Sequence, residues 1–272
     1  MELNPPKTAM ETRPIGIFDS GVGGLCVLRE IRTRLPHESI HYLADSRNCP
    51  YGSKTREEAL SLSRKNIEFL VKQGCKLIVV ACNTVTAVAI DYFRSEYNIP
   101  FVGMEPAVKP AALQTKTKKI GVLATENTLN GRLFKQTFEK YAQGLEVVVQ
   151  PGYGLVELVE QQAQDSEQAR ILLSQYLLPM MDKGVDTLVL GCTHYPFLLE
   201  MIKTVTQNRI TIIDPADAVA NQTQKVLAQF NLTADNSHSP LFHFYTTGEK
   251  KIAQTFINHA IKTPYTLEQV II

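Results

Sequence analysis

The chain has 272 residues, which at ~150 residues per domain leaves room for one large or two small α/β domains and an ample core, and excludes a peptide-sized fold that depends on staples. Apolar residues make up 44% and charged residues 20%, a globular composition and not a disordered one. Lys plus Arg number 28 against 27 for Asp plus Glu, so the net charge of +1 provides no field that would gather nucleic acid or an anionic membrane, and the expected partner is a small molecule.

Residues 1–14 carry prolines, charges of both signs and no hydrophobic region, so they are expected to be neither a signal nor a transit peptide, and the chain is expected in the cytoplasm. The longest apolar run, 77–82, is far short of the ~20 residues that cross a bilayer. Short β-rich runs then alternate with helical patterns, the signature of βαβ units and a mainly parallel sheet. Strands are predicted at 15–18, 40–43, 77–81 and 101–103, and again at 120–124, 146–150, 187–190 and 210–213. Leu28, Ile31 and Leu35 mark a helix after the first strand, and Val85, Val88, Ala89, Tyr92 and Phe93 give one apolar face of another. The tail reads as a helix over 216–230, a polar loop over 233–240, a strand over 241–245 and a helix over 250–260.

The halves read as copies. The first strands align at an offset of 105, as do the second strands from Ile40 and Leu145, and the third strands end in Ala81-Cys82-Asn83-Thr84 and Gly191-Cys192-Thr193-His194, an offset of 110. Each of these strands is read as ending in a cysteine that opens a helix, at the carboxyl edge of the sheet where α/β proteins place ligands. The positive helix N-terminus favours thiolate over thiol. A lone cysteine there is most simply a small core hydrophobe. Two at corresponding positions, facing one cleft, suit proton transfer across a stereocentre, with one thiolate taking the Cα hydrogen and the other thiol protonating the opposite face. A disulfide or zinc site is the competing chemistry, but the five cysteines (Cys26, Cys49, Cys75, Cys82, Cys192) show no CxxC spacing, and zinc would need about four ligands where only His194 stands close in sequence.

Asp19-Ser20-Gly21-Val22-Gly23-Gly24 follows the first strand, where glycines let backbone N–H groups approach an anion. It is neither a dinucleotide fingerprint nor a P-loop. Asp19 and Ser20 read as a helix cap, or, beside the thiols, Asp19 as a residue that assists one of them or holds an ammonium group. His194 is placed to stabilise the Cys192 thiolate or relay a proton, or is a structural histidine. Pro50-Tyr51-Gly52 offers donors near the same edge, in a composition that otherwise marks only a turn. Cys26 and Cys75 read as core or surface thiols.

Residues 15–27 (IGIFDSGVGGLCV), 49–52 (CPYG), 81–84 (ACNT), 191–196 (GCTHYP) and 244–248 (FYTTG) together resemble glutamate racemase of bacterial cell-wall synthesis. The resemblance implies two α/β domains of like fold related by pseudo-twofold symmetry, residues 1–105 with 216–272 and residues 106–215, with the active site in the cleft between them. It implies interconversion of L- and D-glutamate with no pyridoxal phosphate, metal or nucleotide, and the homodimer common in the family. Carried over by motif, Cys82 and Cys192 are the acid/base thiols, Asp19 assists Cys82 and His194 assists Cys192. Ser20, Pro50, Tyr51, Gly52, Asn83, Thr84, Thr125 and Thr193 are implied contacts to the amino acid. Where the family commonly has a run like CPLFVPLVE, this chain has GYGLVELVE, whose Glu160 falls on the acidic position. The alternatives are a racemase of another acidic amino acid such as aspartate, a non-catalytic binding protein on the same scaffold, and a thiol redox protein.

Overall fold

A computed structural model describes residues 11–272, so the first ten residues of the tail read at 1–14 lie outside the described residues. Strands β1 (Ile15–Asp19), β2 (Ile40–Ala44), β3 (Leu77–Val80) and β4 (Phe101–Gly103) form on the predicted runs. β5 (Lys119–Ala124), β6 (Glu146–Pro151), β7 (Thr187–Gly191) and β8 (Thr211–Ile213) follow, and the tail adds β9 (Phe242–Thr246) and β10 (Thr266–Gln269). They pair into two wholly parallel sheets, one in the order β10-β9-β2-β1-β3-β4 and one in the order β6-β5-β7-β8. β1, β3 and β7 are buried along their whole length, which is why 15–18, 77–80 and 188–191 are apolar runs and not alternating ones.

The order β2-β1-β3-β4 recurs as β6-β5-β7-β8. Ile15 faces Leu77 as Ile120 faces Thr187, which keeps the offset of 110 between the third strands. The second strands do not keep 105. Ile15 faces Ile40, whereas Ile120 faces Val147, two residues later than that offset reaches. Gly144 turns the chain at φ +75° and the Leu145 amide bonds the Ala142 carbonyl, so Leu145 belongs to the turn and the strand starts after it.

The C-terminal segment returns to the first sheet through β9, which pairs with β2 from Ile40–Phe242 onward. β10 is not signalled in the sequence because Thr-Leu-Glu-Gln is a polar, largely exposed edge strand with no apolar face to register. The helix Leu25–Arg34 packs on the helix Ala216–Gln229. One continuous apolar core runs from Ile15 and Ile17 through to Leu188 and Leu190, so both sheets share packing. In the helix Asn83–Glu96 the buried face is centred on Val85, Thr86, Ala89, Ile90 and Phe93, with Val88 and Tyr92 at its margin. Among the described residues no helix is long and apolar enough to cross a membrane.

Candidate active site

β3 delivers the chain to Cys82, which is the N-cap of the helix Asn83–Glu96 with extended backbone (φ −97°, ψ 120°). Its sulfur therefore lies at a helix N-terminus, buried, 3.6 Å from the Ser20 hydroxyl. β7 delivers Cys192 at the matching edge of the second sheet, also buried. The surroundings differ from those expected there. Cys192 does not open an α-helix: a 3-10 turn, Tyr195–Leu198, comes first with Pro196 as its second residue, and the helix follows only at Leu199–Thr206. Electrostatic support for this sulfur comes instead from His194, whose Nδ1 is 3.9 Å away.

Asp19, fully buried at the end of β1, joins the two sides. Its Oδ1 accepts from the Ser20 hydroxyl (3.1 Å) and the Gly21 amide (3.0 Å), and its Oδ2 accepts from the Thr193 hydroxyl (2.8 Å). Asp19 thus reaches Cys82 through Ser20 and not directly. The glycines of this loop are needed because the second sheet's residues press against it. A Cβ on Gly21 would stand 2.0 Å from Glu160 Oε1, and one on Gly23 would stand 2.6 Å from His194 Nδ1.

His194 is buried and its Nε2 is 2.7 Å from Glu160 Oε1, which also accepts the Val22 amide at 2.8 Å. Glu160 ends the helix Leu155–Glu160, so the acidic position of the resemblance does reach the site, beside His194. A residue with no functional reading in the sequence joins them: the Cys49 sulfur lies 4.0 Å from the same Nε2.

On the far side of Cys82, the Thr84 hydroxyl is 2.9 Å from that of Thr125, which caps the helix Glu126–Asn130 from the second sheet's side. Asn83 is buried with its side-chain carbonyl unpartnered. Pro50, Gly52 and Thr125 line a cavity of about 110 Å³ with Gly152, Tyr153 and Glu157. Tyr51 is buried, and its hydroxyl donates to Asp45 Oδ2 at 2.5 Å. Asp45 is a second missed residue. It also accepts from Asn48, from Asn66 (3.1 Å) and from the Thr247 hydroxyl (2.6 Å), tying the CPYG loop to the FYTTG end of β9. The signal for it is only a buried carboxylate needing several donors, which appears once the donors are brought together. Cys26 and Cys75 are both buried in the apolar core.

Burial pushes the Asp19 carboxyl up to about 6, against the downward pull of His194 and of its hydrogen bonds from Thr193 and Gly21. Burial also pushes the Cys82 thiol up to about 12, with the Asp19 charge adding to it. His194 is drawn down by burial, but Cys192, Cys49 and Glu160 outweigh this and hold it well above the ordinary imidazole range. Burial acts upward on Glu160, and the bond to His194 overcomes it. The result is a carboxylate–imidazolium pair at Cys192 and a carboxylate behind Ser20 at Cys82. Two sulfurs in unlike charge surroundings can act as acid and base in turn.

The family model for Asp/Glu/Hydantoin racemase matches residues 26–223. A glutamate racemase of Herpetosiphon aurantiacus is 47% identical over 240 residues, covering 88% of this chain and 94% of that protein. A crystal structure of a glutamate racemase isoform from Bacillus anthracis superposes with a TM-score of 0.86 at 34% identity, covering 96% of this chain and 98% of that one. The Escherichia coli glutamate racemase, solved in complex with L-glutamate and the activator UDP-MurNAc-Ala, gives a TM-score of 0.83 at 29% identity over 95% and 98% of the two chains. With two parallel sheets in this order and one cysteine at the carboxyl edge of each, the chain belongs to the Asp/Glu/Hydantoin racemase family.

Proposed function

We propose that this protein interconverts L- and D-glutamate without a cofactor, with Cys82 and Cys192 as its two acid/base groups, and so supplies D-glutamate for peptidoglycan in the cytoplasm. The catalytic cleft lies between residues 1–105 with 216–272 on one side and 106–215 on the other. The observation that carries this is the path Cys82–Ser20–Asp19–Thr193, which runs from one thiol to the residue beside the other. In the D-to-L direction the Cys82 thiolate takes the Cα proton and becomes a thiol, and the Cys192 thiol protonates the opposite face and becomes a thiolate. The reverse reaction exchanges the roles.

The surroundings of each sulfur support this division. The His194 imidazolium, held by Glu160, stands 3.9 Å from the Cys192 sulfur, within reach to exchange a proton with it. Cys82 has a helix N-terminus, with the Val85 amide favouring its thiolate, but it also has the Asp19 charge opposing it. The ammonium group of a bound amino acid supplies the missing positive charge. Ser20, Asn83, Thr84, Thr125 and Thr193, with the Pro50-Tyr51-Gly52 loop, are the donors and walls for the two carboxylates. The unpartnered Asn83 carbonyl is an acceptor for the ammonium.

The test is purified protein, with no added cofactor, assayed against D- and L-amino acids in heavy water. Glutamate should be racemised well ahead of aspartate, with deuterium at Cα of the newly formed enantiomer. Preference for aspartate overturns the substrate. Product that keeps the substrate's own Cα hydrogen overturns the two-base mechanism.

A further inference from the structure

Cys49, Glu160 and His194 come from three separate segments, yet one donor atom of each, Sγ, a carboxylate oxygen and Nε2, lies within 4.8 Å of the others. The nitrogen and oxygen are 2.7 Å apart and the nitrogen and sulfur 4.0 Å. Zinc binds Cys sulfur at about 2.3 Å and His nitrogen or carboxylate oxygen at about 2.0–2.2 Å, which sets the edges of a tetrahedral site at roughly 3.3–3.6 Å. The shared proton between His194 and Glu160 holds their atoms closer than that, and the thiol stands a little farther off. Side-chain adjustments of about 1 Å bring all three onto one ion.

We propose that Cys49, Glu160 and His194 form a binding site for a thiophilic divalent cation such as Zn²⁺, and that filling it inhibits the enzyme. A thiolate and a carboxylate neutralise a divalent charge, imidazole completes a borderline-soft donor set, and the fourth position is left to water. The set contains one carboxylate, where Mg²⁺ or Ca²⁺ would require an oxygen cage. On binding, the Cys49 thiol and the His194 Nε2–H each release a proton to solvent, and the metal takes the place of the hydrogen bond to Glu160.

Cys192 is not part of this set, because it faces the other ring nitrogen, Nδ1. The cation therefore acts on Cys192 through His194. It removes the Glu160 pairing that aims Nδ1 at the sulfur, so racemisation falls as the site fills. The inhibition rests on the proposed racemase reaction, whereas the binding does not.

The experiment uses chelator-stripped full-length protein with Co²⁺ as the spectroscopic probe and Zn²⁺ as the inhibitor. One Co²⁺ per chain should give a sulfur-to-cobalt charge-transfer band, absent in Cys49→Ser and retained in a Cys82→Ser/Cys192→Ser double variant. Measured against its own metal-free rate, Cys49→Ser should need at least about tenfold more Zn²⁺ for half-inhibition. A band that persists in Cys49→Ser, or disappears in the double variant, places the metal on the other thiols and overturns the site. Absence of any cobalt–sulfur band in the wild-type protein overturns it as well. Since the cobalt titration reads binding alone, its outcome is distinct from a failure of the racemase assay.

Discussion

Thr193 and Asp19 lie 174 residues apart in the chain, at the carboxyl edges of different sheets, and the Thr193 hydroxyl donates to Asp19 Oδ2 at 2.8 Å. This bond closes the path between the two thiols and is one of the three that hold a fully buried carboxylate. Asp19 ionises near 6, so its carboxylate form predominates above that pH. If that form is the active one, kcat/KM rises with pH through about 6. Thr193→Val removes a bond that favours the carboxylate and should move this limb to higher pH, and Asp19→Asn should abolish it. A pH–rate profile of the three proteins decides this, and an unchanged limb in Asp19→Asn assigns it to another group. The same shift bears on stability. Its contribution is fully present below the unfolded value near 3.8 and is lost as pH rises through about 6, on the order of 3 kcal/mol. Urea unfolding of wild-type and Asp19→Asn protein at pH 4.5 and 8 captures about 2 kcal/mol of that change, because the unfolded carboxyl is already largely ionised at pH 4.5.

Replacing either thiol removes one of two bases that the reaction needs in both directions. Cys82→Ser and Cys192→Ser should each lose racemisation by roughly a thousandfold or more, because a serine hydroxyl is a far weaker acid and has no base arranged to ionise it. Thermal unfolding should shift little, since size and burial are kept. Near-normal turnover in either variant would return that cysteine to a packing role.

Glu160→Gln keeps the shape of the side chain and removes one of the partners, with Cys192 and Cys49, that hold His194 protonated. The imidazole should titrate at lower pH, and the loss should fall on kcat from L-glutamate, where Cys192 is the base. About 10- to 100-fold is expected for a group that acts through another. The direction-specific rates, with the His194 titration followed by NMR, check this. A change in KM alone would assign Glu160 to substrate binding.

Thr247→Val takes one donor from Asp45, which is buried and gathers Tyr51, Asn48, Asn66 and Thr247. An unsatisfied bond to a buried carboxylate costs about 1–3 kcal/mol, so the denaturation midpoint should fall accordingly. Because Asp45 also holds Tyr51, KM for glutamate should rise. Thr247→Ser, which restores the hydroxyl, should recover both. Failure of the serine variant to recover KM would separate the Asp45 cluster from the substrate loop.

The βαβ alternation, the eight strands of the two repeated units and the cysteine at the end of each third strand are legible in the sequence, because an apolar run buried on both faces and a residue at its carboxyl edge are local features. β10 is not, because a polar edge strand is defined only by the neighbour it pairs with. The shifted register of β6 depends on a turn at Gly144 and Leu145 that no hydrophobic pattern marks. Cys82 as a helix cap could be read from its strand and helix. The 3-10 turn after Cys192 emerges from how Pro196 directs the chain, whereas His194 beside that sulfur is legible two residues along the sequence.

The sequence by itself determines which side chains are available to do chemistry: two thiols, a carboxylate, an imidazole and their hydroxyl neighbours, each placed at a strand end by local pattern. Tertiary structure decides which of them meet. Asp19 finds Thr193 and Ser20 instead of Cys82, Glu160 finds His194, and Cys49 and Asp45 acquire partners from distant segments. These contacts join separate sheets and the returning tail, and the charges they bring together act beside burial on the pKa values of Asp19, Glu160 and His194. Periodicity records burial along one element, and it carries no information about the charge that another element will place beside it.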